Sequence, residues 1–208
     1  MTPAQEDYLK AIDVLGGRSR FVSNKELIGY LGHSGASVSE MLQQLKKNEY
    51  IHYQAYKGSM LSDKGIQQVC LVSTTHRLWE VFLVDHLHLT LKQAHQQADL
   101  LEHNTSAETY QALRVYLGDP MFCPHGYPLH DDFKVDVKPL IACQEGDTVK
   151  IEYYLEDDDV LDLLQATSLK LKSVYVVKQK SNQICLVGDD QRVEIDLKIA
   201  DQIMVSEI

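Results

Sequence analysis

Apolar positions in the first third of the chain recur at helical spacing. Over residues 4–15, Tyr8, Leu9, Ile12 and Leu15 fall on one side, and Gly16 and Gly17 end the run. Ser23 or Asn24 can cap a second helix from Lys25 to Leu31, stopped by Gly32. A third begins between Ser34 and Ser37, with Val38, Met41, Leu42 and Leu45 as its stripe, and ends near Asn48. Two short helices joined by a glycine-containing turn outline a helix-turn-helix. Tyr50 to Tyr53 and Ser59 to Leu61, about the Lys57–Gly58 turn, predict a small hairpin beside it, a wing. The helical pattern resumes from Asp63 to about Leu87, then over Leu91–His103 and Ala107–Leu117.

Past residue 118 the pattern changes. Pro120, Pro124, Pro128 and Pro139 are four of the five prolines and mark irregular chain. From about Asp147 the runs are short and strand-like: Thr148–Tyr154, Leu169–Lys178, Ile184–Val187 and Val193–Ile195, with a short helix near Asp159–Leu164. The expectation is a mainly α chain with small β parts in three domains. A winged helix-turn-helix occupies 1–63, a helical metal-binding and dimerisation domain 64–140, and an SH3-like β-barrel domain 141–208.

Charge changes this picture little. The net charge of -10 is unevenly spread: residues 1–63 carry seven Lys/Arg and seven Asp/Glu, 64–140 six and nine, and 141–208 seven and fourteen. A neutral first domain can bind phosphates if its basic side chains share a face. Cys70, Cys123, Cys143 and Cys185 form no CxxC pair, so neither a disulfide framework nor a zinc finger is predicted. No apolar run is long enough for a membrane span, and the first residues lack a signal-peptide pattern, so a cytoplasmic protein without membrane contact is expected.

Histidine changes it more. Six of the nine lie between His76 and His125. Asp99, Glu102 and His103 stand at i, i+3 and i+4 of a predicted helix, where side chains share a face. Two carboxylates and an imidazole so placed can form half of a site for a first-row divalent ion. His76 and Glu80 repeat the i, i+4 spacing one helix earlier, among Leu78, Trp79, Val81, Phe82 and Leu83. Charged groups on such an apolar helix need partners, and a shared cation supplies them.

These segments together resemble the diphtheria toxin repressor family, most closely its manganese-responsive branch. They are Thr75–Val84 (THRLWEVFLV), His95, Asp99–His103 (DLLEH), Glu6–Lys10 (EDYLK), Ser37–Met41 (SVSEM) and Cys123–Gly126 (CPHG). The resemblance implies a metal-dependent repressor acting as a homodimer on operator DNA, with no small-molecule substrate, and metal-uptake genes as targets. It implies Mn²⁺ as co-repressor, Fe²⁺ as the alternative, and Zn²⁺ binding in vitro. It implies a first metal site on Asp7, His76, Asp99, Glu102 and His103. A second would use Glu80, Cys123 and His125 with an acidic residue of the last domain, Asp159 best matching it and Asp157 and Asp158 close by; His95 is a further contributor. Ser34, Ser37, Ser39 and Glu40 would face base edges, and Lys25, Lys46, Lys47 and Lys57 the phosphates.

The chain departs from the family in three places. Asp99 stands where relatives have Glu or Cys, which favours oxygen-rich coordination. Lys10 stands where some manganese regulators use a carboxylate for a two-ion cluster. Ala36 replaces a proline frequent at the start of the recognition helix. Two other readings stay open: a metal-independent winged-helix regulator, and a metal-dependent enzyme, against which stand the absence of a nucleophile elbow, P-loop or HExxH motif.

Overall fold

A computed structural model describes residues 1–130, 136–155, 158–167, 169–188 and 191–208. Its contacts define two compact units: residues 1–75 with 102–105, and residues 76–101 with 106–208.

In the first unit, α1 (Pro3–Val14), α2 (Asn24–Leu31) and α3 (Gly35–Lys47) precede a hairpin of β1 (Ile51–Gln54) and β2 (Gly58–Leu61). Capping decides where the helices begin. Thr2 with Gln5, and Ser23 with Glu26, form reciprocal capping boxes, and the Ser34 hydroxyl accepts from the Ser37 amide at 3.2 Å. Gly32 closes α2 in the left-handed conformation. The predicted stripes form one core: Leu9 and Ile12 of α1, Leu27 of α2, and Val38, Leu42 and Leu45 of α3 are buried together with Val22, Ile51 and Leu61. The orientation of α1 is therefore tied to that of α3. The wing is locked at its base, where the Val22 and Ser59 amides and carbonyls exchange hydrogen bonds of 2.7 and 2.9 Å.

Helix α4 (Asp63–Asp85) begins in the first unit and continues into the second. It is followed by α5 (Leu91–Glu102) and α6 (Ala107–Tyr116). Leu78 and Val81 bury against Leu113, Cys123 and Leu129, and Leu83 against Ala94 and Ala98. The second unit ends in an antiparallel six-stranded sheet of order β3-β8-β4-β5-β6-β7. Its strands are β3 (Lys138–Pro139), β4 (Thr148–Tyr154), β5 (Val174–Lys180), β6 (Gln183–Val187), β7 (Arg192–Asp196) and β8 (Ile203–Glu207); α7 (Asp158–Ala166) and α8 (Leu197–Ala200) interrupt them. Val149, Ile151, Tyr154, Tyr175, Val177, Ile184, Ile195 and Val205 form its core. The fold class is the expected one. Strand β5 starts later than the apolar pattern predicts, because Lys172 takes a left-handed conformation (φ 60) that breaks the extended run before it.

The loop carrying Cys123 and His125 is held by backbone. Its Cys123 amide donates to the Tyr127 carbonyl and its Gly126 amide to the Cys123 carbonyl, at 2.9 and 2.8 Å. The Tyr154 amide donates to the His125 carbonyl at 3.0 Å, so β4 supports the loop through its backbone. Gly126 has φ 89, and a β-carbon there would stand 2.3 Å from the Glu152 carbonyl oxygen. Both facts require glycine. Gly126→Ala is expected to destabilise the protein by about 2–4 kcal/mol in chemical denaturation; a loss below about 0.5 kcal/mol would contradict this account of the loop.

Candidate metal centre

The expected first set divides between the two units: Asp7, Glu102 and His103 lie in the first, His76 and Asp99 in the second. Within the first unit, His103 is the meeting point. Its Nε2 lies 3.1 Å from Asp7 Oδ1 and 3.3 Å from Glu102 Oε1, and its Nδ1 lies 2.6 Å from Glu6 Oε2. Asp7, Glu102 and His103 each bring one ligand atom into a group compact enough for one ion. Glu102 is fully buried, whereas Asp7 is half exposed. Helix periodicity produces this: Glu6 and Asp7 stand in the first turns of α1, one residue before Tyr8 and Leu9 enter the core.

Two neighbours were not foreseen as site residues. Glu6, beyond its contact with His103, accepts from Gln68 Nε2 at 3.1 Å. Lys10 donates from Nζ to Glu102 Oε1 at 2.8 Å. The i, i+4 relation of Glu6 and Lys10 on α1 was legible; their partners, more than sixty residues away, were not.

In the second unit a larger group closes around Glu80. His76 Nε2 and His95 Nδ1 lie 2.9 and 3.1 Å from Glu80 Oε1 and 3.0 Å from each other. His125 Nδ1 lies 3.0 Å from Glu80 Oε2, with Cys123 in the same group. His76 thus faces Glu80 through Nε2, while its Nδ1 lies 3.3 Å from Asp99 Oδ1. A carboxylate on the outer ring nitrogen is the usual support for a metal-binding histidine.

The side chains of Glu80 and His125 are fully buried. Burial pushes the Glu80 carboxyl upward, but the close approach of the His125, His76 and His95 rings outweighs it and holds the group well below the usual carboxylate range. Close as they are, Glu80 Oε2 and both ring nitrogens of His125 are buried without a well-aligned hydrogen bond. Orphaned polar atoms converging at this depth fit a cation better than they fit one another.

Asp159 does not join them. It is exposed on α7, with its carboxylate paired to Lys198. Asp157 lies outside the described residues, as does the side chain of Asp158.

The expected DNA-facing side chains are on the surface of the first unit. Ser34, Ser37, Ser39 and Glu40 are exposed at the front of α3, and Lys25, Lys46, Lys47 and Lys57 are exposed as well. The hydroxyls of Ser34 and Ser37 lie 2.9 Å apart, whereas Ser39 donates back to the Gly35 carbonyl at 2.8 Å. Lys46 sits over the Tyr53 ring, 5.8 Å from its centroid. A cleft lined by Ala4, Tyr8, His33, Ser37, Glu40 and Gln44 opens beside them.

Known proteins give this geometry its context. Residues 1–59 match the family model described as the iron dependent repressor N-terminal DNA binding domain, and residues 62–131 its metal binding and dimerisation domain. The chain is 30% identical over 118 residues to an HTH-type transcriptional regulator of Methanocaldococcus jannaschii, spanning 56% of this chain and 94% of that protein. It is 31% identical over 109 residues to the HTH-type transcriptional regulator MntR of Listeria welshimeri, spanning 50% and 73%. Among solved structures, a manganese-dependent transcriptional repressor in complex with manganese superposes with a TM-score of 0.85 at 27% identity, covering 98% of this chain and 99% of that one. ScaR with bound Zn²⁺ does so with a TM-score of 0.81 at 29% identity, covering 98% and 99%. The chain belongs to the diphtheria toxin repressor family of metal-dependent transcriptional repressors, beside its manganese-responsive members.

Proposed function

We propose that this repressor takes Mn²⁺ as its co-repressor, with Asp7, Glu102 and His103 as ligands of the regulatory ion. The convergence of two carboxylates on the His103 ring carries the reading. Its donors are oxygen and nitrogen with no sulfur, a set suited to manganese and also able to take Fe²⁺ or Zn²⁺. When bound, the ion would add positive charge where three carboxylates, Glu6, Asp7 and Glu102, gather around His103. Asp7 then ties α1 to residues 102–103. Because Leu9 and Ile12 pack α1 against α3, fixing α1 fixes the recognition helix.

A second ion is proposed at Glu80, Cys123 and His125, with His76 and His95 facing the other Glu80 oxygen. Asp99 then serves to orient His76. Ser34, Ser37 and Glu40 would meet base edges, and Lys25, Lys46 and Lys57 the phosphates; their exposure supports this reading. The protein acts as a homodimer on two-fold symmetric operator DNA. Leu87, Val115 and Tyr116 support this, since they are exposed apolar side chains within the segment that matches a dimerisation domain.

Selection of bound fragments from a genomic DNA pool tests this reading. Retention is expected with Mn²⁺ and loss of at least about tenfold with chelator, a dependence that Asp7→Ala abolishes. Equal retention by wild type and Asp7→Ala under both conditions would refute it. For the second ion, Co²⁺-loaded protein should show a near-ultraviolet thiolate charge-transfer band that disappears in Cys123→Ser; a band that persists would remove Cys123 from the ligand set.

A further inference from the structure

Lys10 and the proposed regulatory ion need the same atom. Lys10 Nζ hydrogen-bonds Glu102 Oε1 at 2.8 Å, and that oxygen is the one 3.3 Å from His103 Nε2, which in turn faces Asp7 Oδ1 at 3.1 Å. Asp7 and Lys10 stand at i and i+3 on α1, so the two side chains leave the same helix face. Glu102 itself is fully buried and cannot turn to water for its counter-charge. Besides His103 at 3.3 Å, Lys10 and a bound ion can both supply that charge.

We infer that Lys10 is a tethered competitor for the metal, setting how much divalent ion the repressor needs before it responds. This rests on the ligand assignment proposed above for Asp7, Glu102 and His103. The two partners of the Lys10–Glu102 pair differ in freedom. The Lys10 side chain is 30% exposed and carries its ammonium on a flexible stem, so it can swing into water when an ion claims Glu102 Oε1. If the ion took Glu102 Oε2 instead, the ammonium would remain one carboxylate width from a dication and repel it. Either route makes Lys10 oppose metal uptake. Because an ammonium opposes every divalent ion alike, it shifts the threshold of the sensor without choosing among metals.

The experiment compares wild type with Lys10→Met, which keeps the length of the stem and removes its charge. Two quantities are measured with Mn²⁺ alone: the affinity of the binding step that Asp7→Ala abolishes, and the melting temperature with chelator and with Mn²⁺. Lys10→Met is expected to bind Mn²⁺ about tenfold or more tightly, since a like charge within 4–6 Å has been removed. It should also melt lower than wild type in chelator and recover on metal addition, so its metal-induced stabilisation is larger. Lys10→Arg, which keeps the charge, should bind no tighter than wild type. Unchanged or weaker Mn²⁺ binding by Lys10→Met overturns the inference, as does equal tightening by Lys10→Arg. A Lys10→Met protein that melts lower under both conditions without tighter binding shows a merely structural ion pair and overturns it too. If Asp7→Ala removes no Mn²⁺-binding step from wild type, the ligand assignment fails first, and the two failures are told apart.

Discussion

A buried carboxylate must have a positive partner, and the account of this repressor turns on where Glu102 and Glu80 find theirs. Both side chains are fully buried, and both lie on helices that their neighbours hold in place. Removing a carboxylate from water costs several kcal/mol unless charge and hydrogen bonds replace the lost hydration. Around Glu102 the replacements are Lys10 and His103; around Glu80 they are three imidazoles. Each arrangement leaves donor atoms pointed at a common centre. An ion entering that centre contributes binding free energy that is also conformational free energy, because the ligands come from separate stretches of chain.

That coupling explains why the first site is built as it is. Glu6, Asp7 and Lys10 belong to a helix whose opposite face, Tyr8, Leu9 and Ile12, is part of the core that also holds α3. Side chains proposed to meet the ion and side chains that hold the recognition helix thus share one twelve-residue element. Moving one set moves the other, because a packed core responds as a unit. The second group is built differently. Its Cys123 and His125 come from a loop whose shape is set by Gly126 and by the hydrogen bond from Tyr154, so the β-sheet helps fix where these two side chains stand.

Much of this was legible in the sequence, for physical reasons that differ by element. The helices of the first unit announce themselves by stripe and cap: Ser23, Gly32 and Ser34 mark boundaries that the structure keeps. The spacing of His76 with Glu80, and of Asp99, Glu102 and His103, identifies metal-competent faces because helix geometry is periodic. What spacing cannot show is which face meets which. Nothing local indicates that Lys10 would reach Glu102, that Glu6 would join His103, or that Asp99 would lie against His76. Strand β8 went unseen because its pairing with β3 and β4 is non-local, and so was the pairing of Asp159 with Lys198.

The central claim is that one divalent ion is held by Asp7, Glu102 and His103. Anomalous scattering at the manganese edge, from crystals of the Mn²⁺-loaded repressor bound to DNA that it retains, tests this directly. The account predicts an anomalous peak within about 2.0–2.4 Å of ligand atoms from all three residues. A complex in which DNA is engaged and manganese is found only elsewhere, with these three side chains making no contact to it, would contradict the account.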